Sequence, residues 1–359
     1  MPALERLRIE EHHSLDEVYA FLTRNGFGDG LPLIPPTERR VAAMLGGRDP
    51  AAVVAVIEPA KHAATLRALA QCAVMAGCLP DHLPVLIAAA RAVGEPDFNL
   101  LGHATTTGNA AVLLLVHGPA IQRLKFNALG NALGPGNHAN AAVGRALALV
   151  LRNVGGAVPG KTDMATQGQP AKYTCCCAEH EAASPWGPLS LTRGVPAGQS
   201  AVTVLAIAGM VEVADSGSAT AASLLTTFAQ SMTIAGNIGG AGTLGSGEPL
   251  VLLAPEHAAI VGREMTRKQA QTFLWERARL PLERLAAALP VPGDKRPAHV
   301  QERICAGRAE NDRAVEGGVP VALRPEDILI AVVGGPGQKS TYLPTWGGGT
   351  RAITRTIEA

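Results

Sequence analysis

The feature that most constrains this chain is a run of elements that occurs twice. In the first half, the short apolar segment Val53–Ile57 precedes an alanine-rich stretch, Ala63–Ala76, that stops at Gly77-Cys78-Leu79-Pro80. A second such stretch, Leu83–Val93, leads through Thr105-Thr106-Thr107-Gly108 to the apolar run Ala110–Val116, which ends at His117-Gly118-Pro119. In the second half Val202–Ile207 is again short and apolar, and Ala219–Ile234 stops at Gly236-Asn237-Ile238-Gly239. Thr243-Leu244-Gly245-Ser246-Gly247 then precedes Leu250–Ala254, which ends at Pro255-Glu256-His257, and Thr266–Arg279 follows. Short apolar runs bounded by turn residues fit strands buried on both faces, and the longer stretches fit helices. The common order, at an offset of about 140 to 160 residues, reads as an internal duplication, although any alternating chain produces some likeness of this kind. The expected fold is therefore α/β, with two similar halves whose mixed or parallel sheets are covered by helices. Asp327–Val333 adds a further strand of the same type, ending at Gly334-Gly335-Pro336-Gly337.

Around this frame five segments are expected. Residues 1–50 hold an N-terminal helix and an extended proline-rich segment, and residues 51–160 the first α/β half. Residues 161–200 form a cysteine-bearing connector, 201–290 the second half, and 291–359 a C-terminal strand and glycine-rich tail completing it. Ser14 with Glu17 forms a capping box for a helix reaching Asn25, and Thr37 caps another that runs through Leu45. Between them, Gly28 to Pro36 carries too many prolines and glycines for a regular helix. Pro290–Pro297 reads as a surface loop.

Composition narrows the function. Hydrophobic residues make up 47% of the 359 and charged ones 17%, which suits a large buried core. The net charge is +1 with scattered basic residues, so no nucleic acid is expected as a partner, and 3% aromatics leave few stacking platforms. No apolar run is long enough to span a bilayer, and the charged start Met1–Glu11 lacks a signal-like core. A cytoplasmic protein without a membrane partner is expected, and its low charge favours a homo-oligomer. The six cysteines, at 72, 78, 175, 176, 177 and 305, are then free or functional thiols.

Polar or cysteine-rich segments within this apolar chain are the candidate sites. The glycine-rich loop and helix start at 134–140 contain Gly134, Gly136, Asn137, His138 and Asn140, with Arg145 beyond them. Glycines at a helix start let backbone N–H groups approach an anion, so Gly136, Asn137, His138, Asn140 and Arg145 are candidates for a carboxylate or phosphate. The alternative is a tight loop whose asparagines cap the helix. The run Lys172-Tyr173-Thr174-Cys175-Cys176-Cys177-Ala178-Glu179-His180-Glu181 is the candidate for catalysis. In a strand Cys176 points away from Cys175 and Cys177, which makes it separable as a nucleophile. Lys172 would lower its pKa, and Glu179, His180 and Glu181 could move protons. A divalent metal, zinc or iron, held by Cys176, His180 and Glu181 is the rival, though no paired-cysteine or paired-histidine spacing supports it. Three inert core cysteines are the plain alternative. Cys78, at a helix end, is a candidate second thiol. Lys339 is the central cation of the glycine-rich tail and another candidate for an anionic substrate, unless the tail is only a lid. His62, His82, His103 and His299 read as satisfied core or surface residues, whereas His117 and His257 fall at matching strand ends.

Several of these stretches together resemble an uncharacterised bacterial family associated with, and sometimes fused to, small thiol or selenol proteins bearing a UGSC motif. They are Asp29-Gly-Leu-Pro-Leu-Ile-Pro-Pro-Thr37, Ala73-Val-Met-Ala-Gly-Cys78, Asn131-Ala-Leu-Gly-Pro-Gly-Asn137 with Ala139-Asn140, and Asn153-Val-Gly-Gly156. Gly168 to Glu181, Ser184-Pro-Trp186 and Leu343-Pro-Thr-Trp346 complete the set. The resemblance implies thiol-based redox or reductive chemistry and a small thiol or selenol protein as partner. The chain departs from the family pattern of one cysteine followed by Ala-Glu-Asn-Glu, because Cys175 and Cys177 are extra and His180 takes the place of the asparagine. The expected activity is thiol chemistry, as an oxidoreductase or lyase, on a small anionic organic molecule at a cleft between the halves. A metal-dependent hydratase or lyase and a non-catalytic carrier subunit are the alternatives.

Overall fold

A computed structural model describes residues 3–234, 247–280 and 318–358. Gly236 to Gly239, Thr243 to Ser246, Pro290–Pro297, His299 and Cys305 lie outside the described residues. The N-terminal elements follow their caps. Ser14 and Glu17 close the box over α1 (Leu15–Arg24), and Thr37 accepts the Arg40 amide over α2 (Glu38–Leu45). β1 (Val53–Ile57) forms where expected but is not a core strand. Among the described residues it pairs only with β2 (His62–Thr65), antiparallel, and leaves Val53 and Val56 exposed. Because that strand occupies Ala63, α3 (Leu66–Ala76) starts late, at the point where the Thr65 hydroxyl accepts the Ala68 amide. Gly77 ends it at a φ of 86°, a left-handed position that favours glycine.

The chain continues through α4 (Leu83–Val93), α5 (Leu100–Thr105), β3 (Ala111–His117), α6 (Ala120–Arg123) and α7 (His138–Asn153). β4 (Cys176–Ala178), one turn α8 (Leu189–Thr192) and β5 (Ala201–Ile207) come next, followed by β6 (Val211–Ala214) and α9 (Ala221–Met232). Beyond them lie β7 (Leu250–Leu253), α10 (Pro255–Glu264), α11 (Arg267–Arg277) and the two-residue strands β8 (Arg279–Leu280) and β9 (Val319–Pro320). β10 (Leu329–Val332), β11 (Lys339–Leu343) and β12 (Ile353–Thr356) close the order. Among the described residues no helix is long and apolar enough to cross a membrane.

These elements form two compact units with mixed sheets, an α/β fold. The first comprises Met1–Ala178, Ser190–Val204 and Ile353–Ala359, and the second Glu179–Leu189 and Leu205–Ala352. The three cysteines thus belong to the first unit rather than to a separate connector, and the chain returns to that unit in β12. The first unit's sheet has the order β12-β5-β3-β4, with β3 and β4 parallel and β12 antiparallel to β5. Helix α7 packs on α3, α4 and β4, and α3 is buried almost all round, as a helix in the middle of a core must be. The second unit's sheet has the order β10-β7-β11-β6, with β10 parallel to β7 and β11 antiparallel to both its neighbours. Its core joins Leu224, Phe228 and Met232 of α9 to Leu253, Val332 and Tyr342 of the strands.

Candidate functional site

The loop leading into α7 turns its side chains onto the protein. Asn137 caps the helix by accepting the Asn140 amide and donates to the Lys125 carbonyl. Asn140 is buried, donating to the Asn127 and Ala132 carbonyls while it accepts the Asn127 amide. The His138 ring lies 2.8 Å from the Gly77 carbonyl oxygen, and Gly136 supplies the turn at a φ of 113°. Arg145 makes a bidentate pair with Asp29, 2.8 Å to each carboxylate oxygen, and also donates to the Leu31 carbonyl. Burial opposes ionisation of Asp29, but the Arg145 hydrogen bond and the Leu31 amide together hold its carboxyl below the usual range. The groups expected to meet an anion are therefore engaged in capping α7 and in fastening the proline-rich segment to it. Lys339, the other expected anion ligand, is exposed on β11 of the second unit, opposite Ala214.

The cysteines are packed. β4 runs parallel to β3 with Cys176 beside Leu114 and Cys177 beside Leu115, and Cys175, Cys176 and Cys177 are all buried. A methyl group on Gly144 of α7 would stand 2.5 Å from the Thr174 hydroxyl, 2.9 Å from the Cys175 amide and 3.2 Å from Cys176 Cβ. Only glycine lets the helix approach this strand so closely. Burial pushes the Cys176 thiol well above its ordinary range, and the neighbouring Cys177, Cys175 and Cys78 push the same way. Cys175, Cys78 and Cys72 are likewise pushed up to about 12, chiefly by burial. This is the opposite of the lowering expected from Lys172, whose ammonium is instead held 2.7 Å from Asp163. The remaining members of the expected catalytic group belong to the second unit. Glu179 is buried and takes the Leu189 amide on both oxygens at 2.9 Å. His180 donates its backbone amide to the Val332 carbonyl, its ring lies 3.3 Å from the Gly334 carbonyl oxygen, and Glu181 opens a single 3-10 turn. The metal set considered for Cys176, His180 and Glu181 thus draws its residues from both units.

What the first unit does contain is a cavity of about 540 Å3. Its floor is one face of α7, where Gly144, Leu147, Ala148 and Leu151 recur at helical spacing. Its walls are largely alanine, at Ala104, Ala110, Ala111, Ala157, Ala165 and Ala171. Close packing normally fills such a space, and these side chains are too short to do so. Polar groups then line a largely apolar hollow: His103, Asp163, Lys172, Gln167, Gln169 and Arg152. The segment from Asp163 to Tyr173 is laid against the start of β3 by bonds from the Thr166 amide to the Thr107 carbonyl and from the Gly168 amide to the Asn109 side chain. A further bond runs from the Gln169 side chain to the Asn109 carbonyl. This path sets Lys172 against Asp163, at 2.7 and 2.9 Å to its two oxygens.

His103 sits on α5, whose cap Asn99 adopts a left-handed conformation and accepts the Gly102 amide. Burial lowers the His103 pKa to about 4. A hydrogen bond to the Ala111 backbone works against the shift, the Lys172 charge adds to it, and Asp163 counters it. The imidazole is therefore neutral near pH 7, at the wall of a cavity and within electrostatic reach of an ion pair. A strongly shifted titratable group beside a charge partner at a pocket wall is a candidate functional group.

Of this group the sequence flagged only Lys172. His103 reads as an isolated histidine and Asp163 as an ordinary loop acid, and nothing in their spacing announces that they meet. The recurring small residues along α7 and around Ala110 were the available signal for a void. A comparison with protein-family models gives no match, and a comparison with curated proteins gives none either.

Proposed function

We propose that the protein is an enzyme acting on a small organic molecule bound in the cavity of the first unit. The observation that carries this reading is the buried, neutral His103 at the cavity wall beside the Lys172–Asp163 ion pair. A neutral imidazole can exchange a hydrogen bond with a substrate oxygen without bringing a full charge into an apolar space. Lys172, held in place by Asp163, would stabilise negative charge developing on that oxygen. The volume and the mostly apolar walls suit a compact molecule. On this reading the three consecutive cysteines pack α7 against β4, because thiols with raised pKa values are poor nucleophiles.

We also read the two sheets as copies of one ancestral unit. Aligned as β4-β3-β5-β12 and β10-β7-β11-β6, each begins with a parallel pair and ends with an antiparallel one. His117 lies 2.8 Å from the Thr203 hydroxyl on β5, and His257 lies 2.7 Å from the Ser340 hydroxyl on β11. The matching histidine-to-hydroxyl contacts support a duplication in a different register from the one expected from the sequence, which paired Val53–Ile57 with Val202–Ile207, whereas β1 lies outside the four-stranded sheet and β5 within it.

The functional reading is tested by incubating wild-type protein and the variants His103→Asn and Lys172→Met with a small-molecule cell extract, followed by mass spectrometry. Compounds consumed by the wild type and spared by both folded variants support it. Consumption of the same compounds by His103→Asn at the wild-type rate would overturn the role of the cavity.

A further inference from the structure

We infer that the molecule taken into this cavity is a monoanion, a carboxylate on an apolar body, and that Arg152 selects it. The inference rests on the reading of the cavity as the functional site. It follows from a charge balance around the walls. Each carboxylate lining the cavity is engaged by its own cation, Asp29 by Arg145 and Asp163 by Lys172. Arg152 also lines the cavity, but its Nε donates to the Gly26 carbonyl at 3.2 Å, and no carboxylate pairs with it among the described residues. One positive charge thus stands uncompensated on a largely apolar wall. A planar guanidinium presents paired N–H donors that match the two oxygens of a carboxylate, and a largely apolar wall favours a singly charged head over a doubly charged one.

The same helix supplies the body of the site. Gly144, Leu147, Ala148 and Leu151 make an apolar stripe one residue short of Arg152, on the order of 10 Å long at the rise of an α-helix. Arg152 lies one turn beyond Ala148 on the same face of the helix, at the end of that stripe. An acid whose tail lies on the stripe and whose head meets Arg152 satisfies both features. A neutral compound of the same shape leaves the charge unmatched.

The test uses full-length protein and four probes: benzoate and hexanoate, with benzamide and hexanamide as their uncharged counterparts, each titrated by calorimetry. The acids are expected to bind at least tenfold more tightly than the amides. Arg152→Gln should remove that preference, and Arg152→Lys should weaken acid binding several-fold while keeping it above the amides. Ala148→Leu, which fills the floor of the cavity, should abolish binding of all four probes. Acids and amides binding alike, both lost in Ala148→Leu, would leave the cavity as the site and overturn the monoanion inference. Acid binding that survives Ala148→Leu would overturn the cavity reading itself. An absence of acid binding to the wild type would also overturn the inference, and thermal melting of each variant keeps misfolding separate from lost affinity.

Discussion

The two units make opposite use of the space beside their sheets. In the second, Leu224, Phe228 and Met232 of α9 meet strand residues including Leu253, Val332 and Tyr342, and a buried aromatic sits edge-on to His257. In the first, the face of α7 that carries Gly144 and Ala148 between Leu147 and Leu151 leaves a cavity of about 540 Å3. Two sheets of the same strand pattern therefore differ in where stability was forgone. A void of this size forfeits dispersion contacts that a filled core keeps, and such a deficit persists where a bound molecule makes use of it.

The sharpest way to break this contrast is to exchange the two situations. Phe228→Ala should destabilise the protein by about 3–5 kcal/mol, because it removes a fully buried ring from a filled core. Ala148→Leu should change stability by no more than about 1 kcal/mol, since the added methyl groups enter empty space. Chemical denaturation of both variants checks the pair, and equal costs would mean that the first unit is packed as tightly as the second.

Acid should act through the first unit next. His103 has a folded pKa of about 4 against an ordinary 6.5, and its neighbours in this respect are Lys172 and Asp163. Below pH 6.5 the unfolded chain takes up a proton that the folded chain refuses. The corresponding stability is thus fully present above pH 6.5 and is lost as pH falls toward 4, amounting to about 3 kcal/mol. His103→Gln should flatten that part of the stability–pH curve. An unchanged curve in the variant would show that the imidazole is not held neutral by burial.

A smaller effect tests the close helix approaches that the units have in common. A methyl group on Gly262 of α10 would stand 2.3 Å from the Pro185 ring, much as one on Gly144 would strike Thr174 and Cys175. Alanine at either position should cost about 1–3 kcal/mol by overpacking. A stabilising Gly144→Ala would mean that α7 stands further from β4 than described. The smallest expected signal is at the thiols: brief alkylation at neutral pH should leave Cys72, Cys78, Cys175, Cys176 and Cys177 unlabelled, since all are buried. Rapid native labelling of Cys176, read by mass spectrometry, would restore the nucleophile role first considered for it.

What the sequence disclosed depended on how local the deciding interaction was. The caps at Ser14, Thr37 and Thr266 were legible or nearly so, because a cap is settled within four residues. The helix α10 was hidden by Pro255, which reads as a strand terminator although it serves as the first residue of a helix. The strands β6, β11 and β12 were missed because they are short and carry polar residues such as Glu212, Lys339 and Arg355, and only long-range pairing makes them strands. In the candidate site the rare triple cysteine drew attention, whereas burial determines what those thiols can do. His103 and Asp163 lie sixty residues apart, and the path of the intervening backbone, not any motif, makes them neighbours of Lys172.

The position of β12 also gives the protein a schedule. This strand covers an edge of β5 in the first unit, where Arg355 pairs with Glu95 and Arg91 with Glu358, yet it is translated after all the described residues of the second unit. During synthesis, β5 must wait with one edge uncovered for on the order of ten seconds while the ribosome produces the intervening chain. An open strand edge is an invitation to pair with a neighbouring nascent copy. The half that is made first is thus the last to be finished, and it is most vulnerable to mispairing while the other half is still being made.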